Sequence, residues 1–298
     1  ENGLKIPSIG FGTYKLGDDE QVINAVNYAL TVGYRHIDTA AFYGNEEAIG
    51  KVLKESNVKR EDIFLATKLW NDCHGYEKAM KAFNDSIKKL GVEYLDLYYI
   101  HWPTELNSET WRALEDLYYE GKVKAIGVCN FKIGHLEDLK KTARIMPMIN
   151  QIEIHPGCTQ KEMVKYCQGN NIQLVAWGPI MRGRVLTEPL MIDLSKKYNK
   201  TIPQITLRWH IQNDIIPIPK SSNEDRIKEN FNIFDFEISI EDMLKIDTLD
   251  RNENAVLIEI NSIGQTCWFP QEASGEALFG DDTAQILQMT KEYRNRRK

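Results

Sequence analysis

Asp38, Tyr43, Lys68 and His101 lie in the segments YRHIDTAAFYG, IFLATKLW and LDLYYIHWP. Between them they carry a carboxylate, a phenol, an ammonium and an imidazole, the parts of a proton-delivery site. A tyrosine hydroxyl titrates at about 10 in water and is a sluggish acid at neutral pH, and a cation close by favours the phenolate and draws that value down. Lys68 can supply the cation. A lysine held away from water needs its own counter-charge, for which Asp38 is the obvious partner. His101 can orient a carbonyl through a ring N–H or pass a proton itself. Each residue also has a plain structural reading: Asp38 as a helix cap, Tyr43 as packing, Lys68 paired with any surface carboxylate, His101 as a satisfied core histidine. What favours chemistry is that all four fall at or just beyond the ends of predicted strands.

The elements that must bring them together recur along the chain. Eight extended apolar runs, IGFGTY, YRHIDTA, IFLATKL, LDLYYIH, VKAIGV, MINQIEI, QLVAW and IIPIP, alternate with stretches whose apolar residues step by three and four. Gly33, Gly91 and Gly121 end three of those stretches at C-cap positions. Strand and helix repeated in this way is the pattern of a closed (β/α)8 TIM barrel, an α/β fold in which all strand C-termini open onto one face. The rival, a doubly wound sheet holding a dinucleotide, would carry a G-x-G-x-x-G turn, and Gly10-Phe11-Gly12 lacks the third glycine. Extra helices are expected after strand seven and strand eight, the latter over 223–232 and 239–249. The Asn2-Gly3 pair signals a hairpin placed to cap the barrel bottom.

One barrel domain is expected over 1–252. The remainder, 253–298, is an atypically long C-terminal segment without clear periodicity until a helix predicted from Asp281, with a short strand at VLIEI and an apolar knot at Trp268 and Phe269, placed either to fold over the pocket or to bind a partner subunit. Net charge is -6 and no basic stripe is present, so the footprint for a polyphosphate backbone is missing and nucleic acid is excluded as a partner. The five cysteines are odd in number with no C-x-x-C pair, which argues against a disulfide framework and a zinc site and points to a reducing, cytoplasmic compartment. No apolar run approaches the roughly 18 residues of a spanning helix. A monomer or weak oligomer is expected.

Three stretches carry a resemblance: GYRHIDTAAFYGNEEAIG at 33–50, LEDLYYEGKVKAIGVCNF at 114–131 and IPKSSNEDRIKEN at 218–230. They look like the three signatures of the aldo-keto reductase family, and the likeness runs from residue 3 to about 252. With WGPI at 177–180, the chain looks more like microbial reductases of the diketogluconate and methylglyoxal type than like mammalian aldose reductases. The resemblance implies a (β/α)8 barrel, NADPH as cofactor, reduction of a small aldehyde, ketone or dicarbonyl, and Asp38, Tyr43, Lys68 and His101 as the catalytic set. The alternative reading is an NADPH-binding redox sensor or regulatory subunit with slow turnover or none.

One part of the cofactor site stands on chemistry alone. Lys220, Ser221 and Arg226 follow strand eight, where barrels commonly bind phosphate, and two cations with a hydroxyl suit a phosphate monoester better than a bare ribose diol. By resemblance Ser222 and Asn223 join them, Glu229 and Asn230 lie at the adenine, and Gly12, Thr13, Tyr14, Pro179 and Ile180 also face the cofactor. Trp177 is expected to stack on the nicotinamide, with Cys129, Asn130 and Gln151 at its carboxamide. Cys129 replaces the more usual serine, and a thiol is the weaker donor. Segment 181–184 is placed to cross the pyrophosphate, with Arg182 or Arg184 as a clamp. Tyr14, Trp70 and Trp102 lie at the ends of strands one, three and four, and the resemblance implies that they wall an aromatic substrate pocket.

Overall fold

The computed structural model describes residues 3–252. Eight parallel strands follow one another in chain order: β1 (Phe11–Gly12), β2 (His36–Asp38), β3 (Phe64–Leu69), β4 (Leu97–Ile100), β5 (Ile126–Cys129), β6 (Ile149–Glu153), β7 (Gln173–Trp177) and β8 (Ile215–Pro217). The sheet closes on itself through Gly10 N–H donating to the Pro217 carbonyl and Gly12 N–H to the Pro219 carbonyl, each at 3.0 Å. Gly12 is required at that seam, since a Cβ there would stand 2.9 Å from the Ile218 carbonyl oxygen. This is the (β/α)8 barrel that the alternating runs predict.

Outside the barrel lie α1 (Asp19–Val32), α2 (Glu46–Glu55), α3 (Tyr76–Leu90), α4 (Asn107–Tyr119), α5 (Ile133–Lys140), α6 (Lys161–Gly169), α7 (Pro189–Tyr198), α8 (Ile202–Gln212), α9 (Glu224–Phe231) and α10 (Ile240–Asp247). The helices α7 and α10 are the additions after β7 and β8. Local chemistry sets their ends. Asp18 caps α1 by accepting from Gln21 N–H, and Gly33, at a φ of 124° that a side chain would resist, stops it. Thr201 and Gln204 form a capping box at the start of α8. The outer ring closes where Tyr34, after α1, meets Phe231 of α9 with ring centroids 4.8 Å apart.

The two-residue period of a strand sorts the side chains. On β3 and β4, Phe64, Ala66, Leu97 and Tyr99 join Ala125, Ile149, Val175 and Ile216 in a cluster inside the barrel. Leu65, Leu69, Tyr98 and Ile100 alternate with them and pack under the helices. Asp38 on β2, Lys68 on β3 and Gln151 on β6 occupy the same inward set one level higher, above an apolar plug. A charge there is cut off from water below and exposed only through the mouth above.

The expected N-terminal hairpin turns at Asn2-Gly3, and Asn2 with the segment before it lies outside the described residues. Gly3 adopts a positive φ of 76°. Just after it, Leu4 and Ile6 pack against the inner cluster. The strand expected at VLIEI, the helix from Asp281, the apolar knot at Trp268 and Phe269 and the whole of 253–298 lie outside the described residues. Cys73, Cys129, Cys158 and Cys167 are free thiols. Among the described residues no helix is long and apolar enough to cross a membrane.

Candidate active site

At the open mouth, Lys68 Nζ sits 2.5 Å from Asp38 Oδ1, 2.8 Å from the Thr39 carbonyl and 3.5 Å from Tyr43 Oη. The Lys68 and Asp38 side chains are 0% and 1% exposed. Such a pair persists in a protein interior only when further bonds satisfy each member, and both are satisfied here. Asp38 uses its second oxygen, Oδ2, to accept from Gln151 Nε2 at 2.8 Å across the barrel. Gln151, expected at a cofactor carboxamide, therefore serves Asp38 in this structure.

Tyr43 arrives on a single 3-10 turn, Ala41–Tyr43, closed by Gly44 in the left-handed region. His101 follows β4 directly. Its backbone N–H is held by the Leu69 carbonyl at 3.3 Å, and its ring lies 5.7 Å from that of Tyr43 in an edge contact. Its Nδ1 is buried without a hydrogen-bond partner among the described residues.

The electrostatics correct one expectation. Burial raises the Tyr43 pKa above its ordinary value, and Lys68, which works to lower it, only partly offsets that effect. The sequence implied a net fall because proximity to a cation is legible in it and the depth of burial is not. The phenol is consequently a proton carrier that is fully loaded at neutral pH. Burial also pulls Lys68 down, but Asp38 and Tyr43 outweigh it and the ammonium stays charged. His101 is driven well below its usual range by burial and then by Lys68, so its imidazole is neutral. The Cys129 thiol is raised well above its normal value, chiefly by burial.

An aromatic wall surrounds the quartet. Trp70 stacks on Phe42 at 3.9 Å and meets His101 edge-on at 5.0 Å, while Tyr14 lies 4.9 Å from Tyr43. Trp70 and Tyr14 were expected here. Phe42 was not, although it is the immediate neighbour of Tyr43. Trp102 comes next after His101, with its carbonyl held by His74 Nε2 at 3.1 Å. On the far side, Trp177 Nε1 donates to Asn130 Oδ1 at 2.9 Å, and Asn130 Nδ2 donates to the His101 carbonyl at 3.0 Å. That chain ties the ends of β7, β5 and β4 together. Asn130 adopts a φ of 61° to make it, a region asparagine enters more easily than most residues.

Beside the β1–β8 seam, Lys220, Arg226 and Lys15 form a cationic cradle. Partial burial lowers the Lys220 pKa, and the like charges of Arg226 and Lys15 lower it further. Lys15 was missed from sequence, although the strand-end rule that selected the others applies to it. Ser221 is buried, its Oγ accepting from Asn223 N–H at 3.1 Å. Asn223 caps α9 by accepting from Arg226 N–H at 3.0 Å, which aims the helix N-terminus, an anion-favouring end, into the cradle. Ser222 is exposed beside them. Glu229 accepts from Thr201 Oγ1 at 2.9 Å at the start of α8, and Asn230 is buried. Pro179 and Ile180 lead into the 3-10 stretch Met181–Thr187, in which Arg182 takes a φ of 53°.

Comparison with known proteins bears on the family and the fold. The Aldo/keto reductase family profile matches residues 8–190 and 186–251. The chain is 49% identical over 253 residues to glyoxal reductase of Bacillus subtilis (strain 168), covering 85% of this chain and 92% of that one. Its fold superposes with a TM-score of 0.83, at 47% identity, on the crystal structure of an aldo-keto reductase from a Medee basin deep-sea metagenome library, over 85% of this chain and 94% of that one. A Bombyx mori aldo-keto reductase crystallised with NADP superposes with a TM-score of 0.82 at 34% identity, over 90% and 95% of the two chains.

Proposed function

The chain belongs to the aldo/keto reductase family, and from that premise we propose that it reduces small aldehydes, ketones or dicarbonyls to alcohols with NADPH, Tyr43 acting as the general acid. The observation that carries the reading is the contact of Lys68 Nζ with Tyr43 Oη at 3.5 Å, with Asp38 behind it and neutral His101 beside it.

The residues present fit the cofactor. Lys220, whose charge is disfavoured by partial burial and then by Arg226 and Lys15, is relieved by a dianionic phosphate, which favours the 2′-phosphorylated nucleotide over NADH. Lys220, Ser221, Ser222, Asn223 and Arg226 would hold that phosphate, Trp177 would lie against the nicotinamide, and Asn130, Cys129 and Gln151 would face its carboxamide. Bound there, NADPH supplies the hydride.

The protein's own residues do the rest. His101, neutral and rigidly placed, orients the carbonyl oxygen through a ring N–H. Tyr43 gives up its proton as negative charge grows on that oxygen. Lys68 stabilises the phenolate left behind, and Asp38 keeps the ammonium charged in a site cut off from water, where each of these interactions gains strength. General acid catalysis of this kind contributes about 10²- to 10⁴-fold. The aromatic wall of Trp70, Phe42 and Tyr14, with Trp102 proposed beside it, suits a compact substrate, and the named activity of the Bacillus relative makes glyoxal and its methyl analogue, methylglyoxal, the first compounds to try. A panel of carbonyls assayed with NADPH and NADH side by side tests class, cofactor and substrate range together. Equal rates with both cofactors would remove the phosphate assignment, and no oxidation of either with any carbonyl would remove the reductase reading.

A further inference from the structure

Asn45 stands at the N-cap of α2, where an asparagine side chain ordinarily accepts from the backbone N–H two or three residues on. Here it makes no such bond. It is buried and turned the other way: Oδ1 accepts from Thr39 Oγ1 at 2.7 Å, and Nδ2 donates to the Thr13 carbonyl at 3.0 Å. The helix goes without its side-chain cap while both ends of the amide are committed to two loops of the barrel mouth.

Those loops frame the quartet. The Thr39 carbonyl is one of the three groups around Lys68 Nζ, and Thr39 N–H is fixed on the Ala66 carbonyl at 2.9 Å. Thr13 donates from both Oγ1 and N–H to the Asp38 carbonyl, at 3.0 and 3.1 Å. A ring of interactions therefore runs from Asp38 through Thr13, Asn45 and Thr39 to Lys68 and back to Asp38, with every member buried.

We propose that Asn45 is a positioning residue for the reductase reaction: by bridging Thr13 and Thr39 it holds the Thr39 carbonyl against Lys68 Nζ and so fixes the ammonium beside Tyr43. The inference rests on the reductase reading above. Without the bridge, the segment between β2 and α2 that carries Tyr43 is freer to shift against β3, which carries Lys68. A misplacement of about 1 Å at reacting groups costs about 10²-fold in rate.

The test compares Asn45→Ala, Thr39→Val, the double variant and Asn45→Asp with wild type, reading kcat, NADPH dissociation constant and melting temperature, with methylglyoxal as the probe substrate. For Asn45→Ala the expected kcat is about 30-fold lower, with NADPH affinity within about threefold because most of the cationic cradle is built from the β8 side. Asn45→Ala and Thr39→Val remove the same hydrogen bond, so the double variant is expected to be little worse than the poorer single one.

Asn45→Asp keeps the volume and adds a signature that a merely structural role would not produce. Ionised, the carboxylate accepts from Thr39 but repels the Thr13 carbonyl; protonated, it donates to Thr13 and restores both bonds. Its rate relative to wild type is therefore expected to recover as pH falls through a carboxyl pKa raised by burial. Asp38, Tyr43, Lys68, His101 and Glu46 are present in both proteins, so the ratio to wild type isolates the new carboxyl. If Asn45→Ala does not fold, this ratio decides alone. Wild-type kcat in Asn45→Ala, additive losses in the double variant or a flat ratio for Asn45→Asp overturns the inference with the reductase reading intact. A wild type without turnover overturns both.

Discussion

The quartet and the cationic cradle share one barrel mouth and are stabilised in opposite ways. Lys68 has its charge answered within the protein by Asp38, by the Thr39 carbonyl and by Tyr43. Lys220 has its pKa lowered by partial burial and then by the like charges of Arg226 and Lys15. The first site is complete before any ligand arrives, and such preorganisation is what accelerates a chemical step. The second gains its counter-charge from what it binds, which favours affinity and discrimination. The same residue type thus does two jobs according to whether the fold supplies its partner.

The comparison breaks most visibly at Tyr43. Tyr43→Phe removes the transferable proton and leaves the cradle untouched, so kcat is expected to fall by about 10³-fold or more, with NADPH affinity unchanged in a fluorescence titration. A variant that reduces aldehydes at the wild-type rate would end the assignment. Lys68→Met probes stability as well as rate. It strands Asp38 as a buried unpaired charge, at an expected cost of about 3–5 kcal/mol in denaturant unfolding, part of which adding Asp38→Asn should restore. If the single variant unfolds at the wild-type midpoint, the pair is not the closed unit described here.

At the cradle the signs reverse. Lys220→Ala is expected to weaken NADPH binding about 10-fold while leaving kcat at saturation nearly unchanged. It should not lower the melting temperature, because it removes a like-charge contact. Equal loss of NADPH and NADH affinity would show that the cradle does not read the 2′-phosphate.

A separate expected effect is on acid stability. His36, His74 and His210 are each lowered to about 4, first of all by burial. The unfolded chain binds protons on these histidines at about 6.5, so between those values it holds more protons than the folded one. The stabilisation is complete above pH about 6.5 and is lost as pH falls toward about 4. Asp242, held well below the usual carboxylate range first by Lys197 and then by Tyr198, loses its contribution only at lower pH. A melting temperature that stays level from pH 6.5 to 4.5 and falls below that would assign acid unfolding to carboxylates alone.

Much of this was legible in the sequence because strands impose a period of two and a barrel sends all strand ends to one face. Asp38, Lys68 and His101 could be placed from those facts, and Lys220 and Arg226 from the phosphate preference of the last strand's loop. The tertiary wiring was not legible. Nothing local to Gln151 says that it crosses to Asp38, and nothing local to Asn45 says that it abandons its helix for Thr13 and Thr39. The direction of the Tyr43 shift was misjudged for a related reason: a neighbouring cation can be inferred from spacing, whereas desolvation depends on how many segments close over a group. Lys15 and Phe42 were overlooked although the rules used elsewhere reach them.

The seam between β1 and β8 has a mechanical consequence. The acceptors that close it belong to Pro217 and Pro219, and a proline has no N–H with which to answer the neighbouring strand. A parallel ladder exchanges bonds in both directions; this one runs one way, leaving the barrel with a zip that is half-toothed along that edge. Thr13 and Lys15 lie on one lip of it and Lys220 on the other. A nucleotide phosphate gripped by both lips would act as a clasp, and slower amide hydrogen exchange at Gly10 and Gly12 would register its closing.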